Sequence, residues 1–133
     1  MADFNGKLNE LNNTKDHTAD YDENDINNNK VMGVLAYLGL LVLVPIFAAK
    51  NSKFARFHAN QGLVLLIVEA IVLTVVGIVF GILGNIRFIG WIFRLINWLI
   101  NCVVIVPNIL GIVNAARGRA KELPIIGSFR ILK

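Results

Sequence analysis

The sequence predicts an all-α integral membrane protein with three transmembrane helices, interfacial helical segments and a disordered N-terminal tail. Three observations lead there. Apolar runs over 31–49, 62–84 and 95–116 hold 19, 23 and 22 residues, with Glu69 the single charged side chain among them. A helix rises ~1.5 Å per residue, so each run reaches roughly the ~30 Å thickness of a bilayer's hydrocarbon core. The chain has 133 residues, 56% of them hydrophobic, and they lie in unbroken blocks that a small soluble domain seldom needs. Charge is segregated as well: residues 1–30 carry seven acids and three lysines, whereas the remainder carries ten Lys or Arg and only Glu69 and Glu122 as acids.

These bounds set the organisation: a tail over 1–30, one membrane domain over 31–116 and a basic membrane-surface tail over 117–133. The basic residues are spread over several loops, which points to anionic lipid headgroups and not to nucleic acid. Cys102 is the single cysteine and lies inside the third run. It leaves no intramolecular disulfide and no thiolate zinc cluster, and reads as a small apolar packing residue. The first thirty residues lack the basic start and apolar stretch of a secretory signal, so the first span is expected to act as its own insertion signal.

The elements follow in chain order. Residues 1–30 are polar and Asn-rich, with too little apolar surface to offset chain entropy; Leu8 and Leu11 offer at most a transient turn. Pro45 near the end of the first span kinks the helix or ends it early, and a re-entrant first segment is the alternative. Asn51 or Ser52 is placed to cap an interfacial helix running through Phe54, Phe57 and His58 into the second span. Gly77 and Gly81 form a GxxxG pair there, extended by Gly84, that suits close helix packing in lipid. Residues 85–94, with Trp91 and two arginines, read as an interfacial connection or as an extension of the third span. Pro107 is expected to kink that span. With three spans, the 50–61 loop and the C-terminal tail share a side with eight Lys or Arg against five opposite, so the positive-inside rule puts the C-terminus in the cytoplasm and the acidic tail outside.

Several polar residues sit where lipid offers them nothing. Glu69 lies about two turns into the second span, on a stripe with His58, Gly62 and Leu65 and beside Gln61. Asn97, Asn101 and Asn108, with Arg94, share one face of the third span. Their expected partners are Glu69 and Gln61, either as an interhelical seam that fixes register or as the lining of a proton, ion or solute path. His58 has no second His, no Cys and no carboxylate pair in its neighbourhood of the sequence, so a hydrogen-bonding role is expected and no metal. No nucleophile-and-base arrangement, phosphate loop or dinucleotide fingerprint appears, so neither enzyme activity nor a cofactor is expected.

The segments AYLGLLVLVP, FARFHANQGLVLL and ELPIIG resemble a family of small bacterial multi-pass proteins related to the twenty-kilodalton component of the chloroplast inner-envelope import machinery. Magnetosome membrane proteins of the MamF type share the pattern. The FHAxQGL element falls on Phe57, His58, Ala59, Gln61, Gly62 and Leu63, and the LPxIG element on Leu123, Pro124, Ile126 and Gly127. The resemblance implies a helical membrane domain in a bacterial inner membrane. The expected role is a non-enzymatic component that self-assembles or binds other membrane proteins; the alternative is a subunit of an oligomeric transport or protein-translocation channel.

Overall fold

The computed structural model describes residues 13–132 together with Gly6, Lys7 and Glu10; Leu8 and Leu11 lie outside the described residues. Among residues 13–132 six α-helices follow in order: α1 Glu23–Asn28, α2 Lys30–Leu35, α3 Leu43–Ala48, α4 Lys53–Leu83, α5 Gly90–Val104 and α6 Val106–Ala116. Short 3-10 turns occupy Thr18–Asp20 and Gly39–Val42. Among the described residues the one β-type pairing is an isolated bridge between Asp16 and Lys121.

Of the three expected spans, two correspond to membrane-length helices, and the first run is divided. Run 31–49 is not one helix: α2 stops at Leu35, the backbone turns through Gly39 at φ +65°, and α3 ends at Ala48. Gly39 takes the left-handed conformation at no Cβ cost, which breaks the run before Pro45 is reached. Among the described residues two helical stretches, Lys53–Leu83 and Gly90–Ala116, are long and apolar enough to cross a membrane. In the second, a single turn residue, Ile105, separates α5 from α6, just before Pro107. The expected interfacial helix and the second span are one 31-residue helix, and residues 90–94 begin α5.

The chain divides into two compact units, Met1–Leu66 with Pro107–Lys133, and Ile67–Val106. In the first, α2, α4 and α6 meet through glycines. A Cβ on Gly62 would overlap the Ala36 carbonyl, and one on Gly111 would overlap the Tyr37 ring. A Cβ on Gly33 would lie 3.0 Å from that of Ala115. Between these crossings are the fully buried Phe54, His58, Gln61, Val42 and Asn114. Residues within 1–30, where composition predicts disorder, also pack here. The Thr14 hydroxyl donates to the Glu122 carbonyl, the His17 amide to that of Ala120 at 2.8 Å, and the Glu122 amide to that of Lys15 at 3.0 Å. Ile26 and Tyr21 close over Phe54, Phe57 and Ala120.

The second unit is a helical hairpin. Its apolar side chains point outward: Ile71, Val75, Ile78, Ile82, Trp98 and Val103 are all exposed. The turn at 84–89 is tight, since a Cβ on Gly90 would overlap the Gly84 carbonyl. Phe80 and Phe93 pack at 6.2 Å between ring centroids.

Candidate functional site

The FHANQG segment occupies the second and third turns of α4, and its polar side chains are buried. The start of α4 is built first. Ser52 caps it, its Oγ accepting from the Ala55 amide at 3.0 Å. Asp25 of α1 adds a second cap that the sequence did not announce: one carboxylate oxygen accepts from the Phe54 amide at 2.9 Å, the other from the Ser52 hydroxyl at 2.5 Å. A carboxylate at a helix N-terminus answers both the orphan amides and the helix dipole.

His58 is fully buried. Its Nε2 lies 2.8 Å from the Arg119 carbonyl and its Nδ1 2.6 Å from the Tyr37 hydroxyl. A carbonyl only accepts, so Nε2 carries the hydrogen, and in the neutral ring the Tyr37 hydroxyl donates to Nδ1. The Arg119 carbonyl is aimed by the end of α6. Gly118 sits at φ +72°, its amide bonds the Ala115 carbonyl at 3.0 Å, and the Arg119 amide bonds that of Asn114 at 2.8 Å. That is a Schellman ending, which glycine accommodates without strain. The rings of Phe54 and Phe57 meet the imidazole edge to face at 4.7 and 5.2 Å.

Asn60 and Gln61 hold the C-terminal segment. Gln61 Nε2 donates to the Gly127 carbonyl at 2.9 Å, and its Oε1 accepts from the Leu123 amide at 2.9 Å. Asn60 Nδ2 donates to the Phe129 carbonyl at 2.8 Å, and its Oδ1 accepts from the amides of Ile131 and Leu132 at 2.6 and 2.9 Å. Three neighbouring side chains thus bond six main-chain groups of an irregular segment between Arg119 and Leu132. The FHAxQGL and LPxIG elements are two halves of one clasp. Gly127 belongs to it sterically, since a Cβ there would lie 2.5 Å from Leu123 O.

The other expected site residues fall elsewhere. Both ends of the Gln61 amide bond the C-terminal segment, where the sequence suggests the Asn face of the third span. Asn101 bonds the Asn97 carbonyl at 2.7 Å within its own helix, and Asn108 lies on α6. Glu69 is half-buried in the hairpin unit. Gly77 and Gly81 are exposed, with nothing within 4 Å of a Cβ built on either; the close crossings use Gly33, Gly62 and Gly111 instead. Phe57 is 6% exposed and forms part of the aromatic cluster. Asp25, Tyr37, Asn60 and Gly118 were not singled out from the sequence. Of these, Asn60 and Gly118 had signals, an amide inside the motif and a glycine after the last helical turn.

Fold and site together define a helical protein with two membrane-length apolar stretches and a buried polar clasp. Residues 28–132 match the magnetosome magnetite crystal formation protein family, and the chain belongs to that family. It is 30% identical over 99 residues to magnetosome protein MamF of Paramagnetospirillum magneticum, covering 74% of this chain and 79% of the relative. It is 33% identical over 96 residues to magnetosome protein MmsF of the same organism, covering 72% and 79%. MamF of Magnetospirillum gryphiswaldense is 28% identical over 96 residues, covering 72% and 77%. No solved structure matches the chain.

Proposed function

We propose that the chain is a non-enzymatic multi-pass membrane component that assembles with copies of itself in a bacterial membrane, of the cell or of the magnetosome for which its relatives are named. The observation that carries this reading is the hairpin of residues 67–106. Its apolar residues face outward, Gly77 and Gly81 are open to a neighbour, and Asn101 is exposed in the middle of an apolar helix. In lipid, a small-residue face permits close backbone approach and a side-chain amide gains by bonding across helices, at about 0.5–2 kcal/mol per bond. The hairpin crosses the bilayer, and the family description suggests that the assembly acts where mineral grows.

The native Cys102 is exposed on α5 and gives the test directly. Short thiol-to-thiol crosslinkers applied to native membranes should yield a homodimer band that Cys102→Ser abolishes. Replacing Gly81 by Ile should reduce the band several-fold at unchanged protein level. A monomer under all conditions would reject the proposal.

An oligomeric transport path is the second reading, supported by Glu69 within the apolar hairpin. It requires Glu69→Gln to abolish flux of protons or ions in vesicles while the folded amount is unchanged; unchanged flux would remove it.

A further inference from the structure

The clasp has a second face that the assembly reading does not use. A cleft of about 490 Å³ opens beside the first turns of α4. Its cationic wall comes from two separate parts of the chain, Lys53 and Arg56 on α4 and Arg130 in the C-terminal segment. Asp20 is the one carboxylate on the wall among the described residues. His17 also lines the cleft, and its Nε2 is buried without a hydrogen bond among the described residues, with Glu122 Oε1 at 3.4 Å.

Arg130 is held in place rather than free to wander. Its Nη1 donates to the Gly127 carbonyl at 2.9 Å, its Nη2 lies 3.5 Å from Glu122, and its guanidinium stacks 5.5 Å from the Phe57 ring centroid. The clasp fixes the backbone on either side of it through Gln61 and Asn60. Three cations stand around this concave space against Asp20 on the wall and Glu122 beside Arg130, which leaves a positive balance that attracts an anion. An Arg fork and a Lys point charge are the two side chains best suited to phosphate oxygens.

We propose that this cleft binds a phosphate-bearing anion, held by Lys53, Arg56 and Arg130 with His17 as a further contact. Two sources share that chemistry, an anionic phospholipid headgroup and free phosphate. The apolar part of the wall, Tyr21, Phe57 and Leu132, suits the glycerol and upper acyl carbons of a lipid. Arg56 also precedes Gly62, where the apolar stretch of α4 begins, by six residues, or about 9 Å of helix. That spacing matches the depth of a headgroup layer.

The full chain in neutral maltoside micelles is titrated with short-chain phosphatidylglycerol, short-chain phosphatidylcholine and inorganic phosphate. Saturable binding of phosphatidylglycerol but not phosphatidylcholine is expected. The double variant Lys53→Gln, Arg130→Gln should raise Kd by about tenfold, with an unchanged circular dichroism spectrum. Lys50→Gln, a cation outside the cleft, should leave Kd unchanged. Should the double variant fail to fold, Lys53→Gln alone carries the test, because its side chain is exposed and its loss disturbs no packing. Displacement of the lipid by millimolar phosphate would support the site and assign it to the free anion; no displacement would support the lipid. Equal binding of the two lipids in the absence of phosphate binding, full affinity in the folded variants, or equal weakening by Lys50→Gln would overturn the proposal. Binding is read in micelles on one chain, so its failure and the failure of self-assembly are separate results.

Discussion

At the residue scale the protein depends on side chains that answer backbone groups. His58, Asn60 and Gln61 each bond main-chain atoms of the C-terminal segment, and a buried backbone group left unmatched costs about 1–3 kcal/mol. His58→Leu removes the partners of both the Tyr37 hydroxyl and the Arg119 carbonyl, so a loss of several kcal/mol, or of folding, is expected in detergent melts. His58→Asn retains part of that bonding and should lie between wild type and Leu; Leu as stable as Asn would refute this account. A chelator should change neither variant nor wild type.

Asp16 adds a pH dependence. Burial works against its charge, but the hydroxyl and amide of Thr18, with Lys121 and Arg119 nearby, hold its carboxyl below the usual carboxylate range. A carboxyl lowered in the folded state contributes stability above its unfolded pKa and loses it as pH falls through the folded value. The contact of residues 16–18 with 120–122 should therefore loosen only in strongly acidic solution, below about pH 4. Amide exchange at Ala120 reads it directly, since that amide donates to Thr18 Oγ1 at 2.9 Å. Asp16→Asn should remove the pH step.

At the element scale, two sets of glycines have opposite jobs. Gly62 and Gly111 sit where helices cross, and a methyl group at either meets the Ala36 carbonyl or the Tyr37 ring. Gly77 and Gly81 face open space. Gly62→Ala is thus expected to destabilise the chain by about 1–3 kcal/mol or more through overpacking. Gly77→Ala should leave the melting of the isolated chain unchanged or raise it, since Ala favours a helix by about 1 kcal/mol. Thermal melts of the two variants side by side check this, and the opposite ranking would show that the crossings are misplaced.

At the scale of the whole molecule, the division of run 31–49 changes the topology to be tested. With two crossing stretches, the tail, the 50–61 segment and the C-terminus all fall on one side, and that side holds eleven of the thirteen Lys and Arg. Only Arg87 and Arg94 remain at the hairpin turn. The positive-inside rule then places both termini in the cytoplasm. Reporter fusions at the two ends should agree with each other, and a fusion at Asn85 should report the opposite compartment. An external N-terminus with an internal C-terminus would restore three crossings.

The sequence by itself determined the helical class and the two long apolar stretches, narrowed the helix cap to Asn51 or Ser52, and marked FHANQG and LPIIG as motifs. Each of these is local: hydropathy over twenty residues, a hydroxyl before a helix, a short motif. Tertiary structure alone decided what the motif residues are for. Gln61 and Gly127 are 66 positions apart, and no local pattern says that one bonds the other. The same holds for Asp25, whose carboxylate caps a helix that starts 28 residues later in a chain segment of opposite composition. Hydropathy read run 31–49 as one span because it counts side chains. The backbone turn at Gly39 and the packing of Ala36 and Tyr37 against Gly62 and Gly111 broke it into pieces, because close approach of helices depends on which residues have no side chain to interfere.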